Sequence, residues 1–201
     1  MNMIVLGGFL GSGKTSILIQ LAKHLVGDDT DMYSKVVIIE NEIGEVGIDD
    51  KLLRAGGYLV EGMFAGCVCC SISGELILNV SEIIKNLEPE WIIMEATGVA
   101  TPSTIKENLL ESLKIDSGIC CVADAKRWKR YLIPMRLLME TQLEDADVIL
   151  INKIDAVDEK ELEEIEESVK SFNDKAEIFR VSAADTISSE VFDAVLEKLV
   201  K

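Results

Sequence analysis

The sequence predicts a doubly wound α/β fold, with a mostly parallel sheet flanked by helices, and three observations carry that reading. Seven short segments are apolar throughout rather than alternating, as strands buried on both faces of a parallel sheet are. Stretches with apolar residues at helical spacing separate them, so strand and helix alternate along the chain. The polar motifs fall at the carboxyl ends of the strands, where such sheets bind ligands.

The first strand is "MNMIVL", followed by a helix over about Gly13 to Val26. "KVVIIE", Lys35 to Glu40, is the second strand, and a short helix is expected over Asp49 to Arg54. "YLVEGM", Tyr58 to Met63, gives a third strand, with a helix from Gly74 to Asn86 behind it. "EWIIMEA", Glu90 to Ala96, and "SGICCVADA", Ser117 to Ala125, flank a helix from Ser103 to Leu113. A helix from Met135 to Glu144 leads to "ADVILIN", Ala146 to Asn152. Another, from Glu159 to Ser171, leads to "AEIFRVSA", Ala176 to Ala183, and a last helix spans Ser188 to Val200. The run "DEKELEEIEESVK" keeps Leu162, Ile165 and Val169 on one stripe and reads as a helix with a solvated face.

The 201 residues suit a single domain over 1–201, and 48% apolar residues supply its core. With 36 acidic against 20 basic residues the formal net charge is −16. That balance argues against general nucleic-acid binding and against an anionic membrane surface. No stretch approaches the ~18 uninterrupted apolar residues of a spanning helix. The N-terminus has no basic region and runs straight into a glycine-rich loop, so a signal peptide is not expected and a cytoplasmic location is. Five cysteines in such a chain suggest thiols or metal ligands rather than structural disulfides.

The chain is organised around "GGFLGSGKTS", Gly7 to Ser16. Gly8, Gly13, Lys14 and Thr15 have the spacing of a phosphate-binding loop, and a strand and a helix enclose it as that motif requires. Backbone N–H groups of the turn, which includes Gly11, Ser12 and Ser16, would wrap phosphates with help from the helix N-terminus. Lys14 would reach the outer phosphates and the Thr15 hydroxyl would ligate magnesium.

"INKID" ends the sixth strand. A carboxylate at Asp155 can accept from the N1–H and N2 amine of guanine, whereas adenine would leave a buried Asp155 unpaired. The Lys153 stem can lie across the base, and Asn152 can tie this loop to the phosphate loop. Ser182 and Ala183, in "VSA", end the last strand, where a backbone N–H would meet the base O6. "WIIMEATG" ends the fourth strand in Glu95, placed to hold magnesium through water or to position an attacking water, with the Gly98 N–H near a γ-phosphate. "ENEIGEVGIDD", Glu40 to Asp50, is acidic with Gly44 and Gly47, and Glu42 or Glu45 could reach a metal there. A loop ordered by the γ-phosphate would lie in this place, although a solvated acidic loop has the same composition.

"GCVCCS" places Cys67, Cys69 and Cys70 within four residues. Thiolates bind zinc and similar ions, and three ligands leave a tetrahedral ion one short, which suits a metal that must leave again. Inert or redox-active thiols are the alternative. Cys120 and Cys121 lie inside a strand and read as core. His24 is the only histidine and reads as structural. The cluster Lys126, Arg127, Lys129 and Arg130 suits either a partner contact or a solvated helix start.

Taken in order, "GGFLGSGKT", "ENEIGEVGID", "GCVCC", "EATG", "VADA" and "NKID" resemble the CobW-type GTPases, relatives of HypB and UreG, over Gly7 to about Ala183. The resemblance implies a P-loop GTPase that couples GTP and Mg2+ to delivery of zinc, cobalt or nickel to a client metalloprotein, with nucleotide-dependent dimerisation. It places Lys14, Glu95 and Glu42 at the reacting phosphate or metal, Thr15 and Glu95 on magnesium, and Cys67, Cys69 and Cys70 on the transported ion. It assigns Asn152, Lys153 and Asp155 to guanine. Family members often add a C-terminal domain and a histidine-rich stretch, and the expectation for this sequence is the GTP-binding domain without them. The approach "VEGMFAGCVCC" also departs from the usual "ELxNGC" lead-in. Turnover is expected to be slow, since no arginine finger is evident. Two other readings remain: a nucleotide-gated regulator of a cofactor-dependent enzyme without metal transfer, and a P-loop kinase or ATPase with redox cysteines, against which "NKID" counts.

Overall fold

In the computed structural model, residues 1–27, 35–40, 59–62 and 72–200 are described. The strands are β1 (Asn2–Gly8), β2 (Val36–Glu40), β3 (Leu59–Gly62), β4 (Trp91–Glu95), β5 (Gly118–Asp124), β6 (Val148–Asn152) and β7 (Glu177–Arg180). They form one sheet in the order β3-β2-β4-β1-β5-β6-β7. Every neighbouring pair is parallel. The helices are α1 (Lys14–Val26), α2 (Ile72–Leu87), α3 (Pro102–Leu113), α4 (Trp128–Tyr131), α5 (Arg136–Leu143), α6 (Glu159–Lys170) and α7 (Ser189–Leu199). All seven expected strands are present. The short helix expected over Asp49 to Arg54 lies outside the described residues.

The uninterrupted apolar runs have a direct cause. On one face of the sheet, Ile4, Leu6, Ile93, Cys120, Val122 and Leu150 pack against Ile17, Leu18 and Leu21 of α1 and Phe192 and Val195 of α7. The alternate residues Met3, Val5, Ile92 and Met94 face Leu76 and Val80 of α2 and Ile105 and Leu109 of α3. Further along that second face, Cys121, Ile149 and Ile151 meet Met139 and Leu143 of α5 and Leu162, Ile165 and Val169 of α6. The central strand positions therefore alternate between two apolar layers, and full burial of such a side chain is worth about 1.5–3 kcal/mol.

Two elements differ from expectation. The seventh strand ends at Arg180 rather than Ala183, because the Val181 carbonyl accepts from Ile154 N at 3.4 Å and the chain turns over the end of β6. The basic cluster forms a 3-10 turn over Ala125–Arg127 and then α4. It is not simply solvated: Trp128 is buried and its Nε1–H donates to Ser168 Oγ at 3.0 Å. No helix among the described residues is long and apolar enough to cross a membrane.

Candidate functional site

The parallel register lines up polar strand ends along one edge of the sheet. Leu6, just before the glycine-rich loop, pairs with Glu95, and Asp124 pairs with Asn152. The loop after β1 runs into α1 without a side-chain cap and without an acid in the first helical turn. The N–H groups that open α1 have no intrahelical carbonyl to meet, and the positive end of the helix dipole favours an anion there. Gly13 sits at φ 99°, and a Cβ there would collide with the Asn152 side-chain amide. Only glycine permits both the turn and the approach of β6.

Lys14 is buried, with Nζ 3.0 Å from the Gly8 carbonyl, 3.3 Å from the Phe9 carbonyl and 3.8 Å from Glu95 Oε1. The Thr15 hydroxyl lies 3.3 and 3.2 Å from the two Glu95 carboxylate oxygens. A hydroxyl and a carboxylate converging beside a lysine form the oxygen set that a hard divalent cation takes while it bridges phosphates. These residues fit Mg2+. Gly98 packs so tightly that a Cβ would stand 2.6 Å from Leu10 N, which holds the segment after β4 against the tip of the loop. Ser12 is buried and Ser16 is exposed.

The "NKID" residues are fastened to the same loop. Asn152, almost fully buried, donates from Nδ2 to the Ser12 carbonyl at 2.8 Å and accepts at Oδ1 from Ala183 N at 2.9 Å. Lys153 takes a left-handed backbone at φ 64° and donates from Nζ to the Gly11 carbonyl at 2.5 Å and to Asp124 Oδ2 at 2.8 Å. Asp155 Oδ1 accepts from Ser182 Oγ at 2.6 Å. Asp155 is exposed rather than buried, because it lies in the 3-10 turn over Ile154–Ala156 beyond the end of β6.

Three further residues brace the loops of the site from behind. Asp124, whose side chain is only 3% exposed, accepts from both Lys153 and Arg127 Nε, the latter at 2.6 Å. Arg127 also donates to the Leu10 carbonyl at 2.9 Å, so two cations held by one carboxylate grip successive carbonyls of the loop. Burial alone would lower the Arg127 pKa, but the hydrogen bond and charge of Asp124 outweigh it and raise it. Gln142 of α5 accepts from Gly8 N at 2.7 Å and donates to the Ala100 carbonyl. Asp124 ends an apolar strand as Glu95 and Asn152 do, and Gln142 is an amide on the buried stripe of α5 between Met139 and Leu143. Those are the signals by which sequence could have found them.

Cys120 and Cys121 are buried, as expected. His24 contacts Asp193 Oδ1 at 2.9 Å and packs beside Phe192, a structural setting. Glu42, Glu45, Cys67, Cys69 and Cys70 lie outside the described residues. Among the described residues no group of three or more His, Cys, Asp or Glu side chains is placed to hold a metal ion.

A phosphate loop at the end of the central strand, an acid beside its threonine and a guanine-type loop tied to it define a P-loop nucleotide-binding protein. The CobW/HypB/UreG nucleotide-binding domain matches over residues 2–180, and the chain belongs to that family, whose members are GTPases. It is 30% identical to zinc chaperone YjiA of Escherichia coli K12, over 90% of this chain and 57% of that protein. It is 27% identical to zinc-regulated GTPase metalloprotein activator 1 of Dictyostelium discoideum, over 94% of this chain and 48% of that protein. The chain therefore spans about half the length of these relatives. In structure it is similar to the hydrogenase maturation factor HypB from Archaeoglobus fulgidus, with a TM-score of 0.71 at 16% identity over 98% of this chain and 89% of that one. HypB from Helicobacter pylori, solved in complex with nickel, gives 0.66 at 22% identity over 98% and 86%. These two likenesses establish the fold.

Proposed function

We propose that the chain hydrolyses GTP slowly and uses the nucleotide state to control binding and release of a transition metal, zinc in the first instance, for a client metalloprotein in the cytoplasm. The observation that carries the nucleotide half is the wiring of "NKID" to the phosphate loop through Asn152–Ser12 and Lys153–Gly11. A guanine base and its phosphates would then be gripped by one connected unit. Lys14 would hold the outer phosphate oxygens, Thr15 and Glu95 would hold Mg2+, and the Gly98 N–H would meet the γ-phosphate. Ser16 supports the phosphates from the first turn of α1, and Ala183 N and Ser182 border the base. Bound Mg2+ supplies neutralisation of charge on the phosphates.

The metal half is supported by the thiols of Cys67, Cys69 and Cys70 and by the zinc-chaperone names of the relatives. Glu42 lies in the segment between the nucleotide site and these thiols and would respond to the γ-phosphate. Arg127 is anchored on Asp124 and the Leu10 carbonyl rather than free to act as an arginine finger, which suits slow turnover until a client or a second copy assists.

Zinc titration against a chromophoric chelator, with a non-hydrolysable GTP analogue and with GDP, tests this. Metal affinity should differ between the two nucleotide states and should be lost when Cys67, Cys69 and Cys70 are replaced by Ser. Equal affinity in both states, or no loss in the triple variant, overturns metal delivery and favours a nucleotide-gated regulator of a partner enzyme.

A further inference from the structure

The segment that follows Glu95 docks onto the phosphate loop at three points. Gly98 lies against the Leu10 backbone. The Pro102 ring, at the start of α3, closes on Gly7, where a Cβ would stand 2.6 Å from it. Between them, the Gln142 side chain bridges the two stretches, accepting from Gly8 N at 2.7 Å and donating to the Ala100 carbonyl. Gln142 is 2% exposed and comes from α5, an element that belongs to neither stretch. The Ala100 N–H closes a turn onto the Thr97 carbonyl at 3.0 Å, so fixing Ala100 also fixes the turn that carries Gly98. The backbone of α5 is itself tied to the sheet beneath the loop, since the Cys121 thiol donates to the Gln142 carbonyl at 2.8 Å.

We propose that Gln142 is a positioning residue for γ-phosphate recognition: it holds the Thr97–Ala100 turn in register with the phosphate loop, so that a phosphate bound by the loop meets the Gly98 N–H. The amide is suited to this because it presents an acceptor to one stretch and a donor to the other. A carboxylate at the same place keeps the acceptor for Gly8 but opposes the Ala100 carbonyl. The GDP site, built from the loop, α1 and "NKID", does not need the Thr97–Ala100 turn. The contribution of Gln142 is therefore specific to the triphosphate. This rests on the assignment of Gly98 to the γ-phosphate made above.

The test compares Gln142→Glu and Gly98→Ala with the unmodified protein, measuring Kd for GDP and for a non-hydrolysable GTP analogue, together with kcat. In Gln142→Glu the preference for the analogue over GDP should fall by about five- to tenfold, as expected for loss of one partly buried hydrogen bond. GDP affinity should stay within about twofold of the unmodified value, less than one such bond contributes. Gly98→Ala, whose Cβ would press on Leu10 N, should show at least the same loss of preference, together with weaker GDP binding. Loss in Gly98→Ala with no change in folded Gln142→Glu overturns the role of Gln142. No loss in either overturns the assignment of Gly98 first. If Gln142→Glu does not fold, backbone amide exchange in the unmodified protein decides. Thr97–Ala100 amides should gain protection with the GTP analogue and not with GDP, while the Gly8 amide, held by Gln142 beside a loop that both nucleotides occupy, should be protected by either; equal protection of Thr97–Ala100 by GDP overturns the proposal.

Discussion

The Asn152 side-chain amide donates to the Ser12 carbonyl at 2.8 Å, joining two motifs 140 positions apart in the sequence. The same side chain accepts from Ala183 N, so one residue ties the phosphate loop to the ends of both β6 and β7. Asn152→Ala would leave a buried carbonyl and an amide N–H without this partner, at about 1–3 kcal/mol each. Chemical denaturation should register that loss. Affinity for GDP and for a GTP analogue should fall together, since neither contact senses the γ-phosphate. A variant of normal stability and affinity would remove Asn152 from the site.

On the proposed reading Asp155 selects the base, and its exposure makes that reading testable without a folding defect. Asp155→Asn exchanges an acceptor for a donor opposite the guanine N1–H and N2 amine. One charge-assisted hydrogen bond goes and the other loses its charge, and GTP affinity should fall by about a hundredfold. Xanthine, with a carbonyl in place of the N2 amine, should bind the variant better than guanine does. Competition among GTP, XTP and ATP checks it, and unchanged preference for GTP would show that base recognition lies elsewhere.

The central strands were legible because burial on both faces leaves few polar positions along them, and the motifs because their spacing matches that of phosphate- and guanine-binding loops. Arg127 was not legible in the same way. Its partner Leu10 is 117 residues distant, and a cluster of four cations around Trp128 looks like a solvated patch until the fold turns one of them inward. Lys129 does face outward, pairing with Glu164 at 2.8 Å. Gln142 was missed because a single amide on an apolar helix stripe resembles any buried polar residue. The exposure of Asp155 was missed because the sequence sets the chemistry of a loop end but not its depth.

Glu95 and Thr15 stand where a magnesium ion would join them, with the hydroxyl 3.2 Å from Glu95 Oε2. Glu95→Gln keeps the volume and removes the charge. Hydrolysis should fall by about 10²-fold or more, by the scale of electrostatic contributions at such sites. GDP affinity should change little, because Lys14, the loop and "NKID" remain. The Mg2+ concentration needed for half-maximal activity should rise. Activity with normal Mg2+ dependence would assign the metal to another carboxylate, with Glu42 the first to examine.

Cys120 and Cys121 give the fold a measurable alkaline signature. Burial, reinforced by the Asp147 charge, pushes the Cys120 thiol from 9.0 up to about 12. Burial, with Cys120 and Asp147 adding to it, raises Cys121 as well. In the folded chain both thiols stay neutral at a pH where the unfolded chain ionises them. Their contribution to stability is therefore complete below pH 9.0 and is lost as pH climbs from there through about 12. The Tm should fall with rising pH across that interval, and the slope should be shallower in Cys120→Ala, even though its Tm at neutral pH is lower because a core thiol is gone. Alkylation of the native protein at neutral pH should spare both residues and reach them only after denaturation. Modification of either in the native protein, or an identical slope in the variant, would contradict the burial that joins β5 to the helices on its two sides.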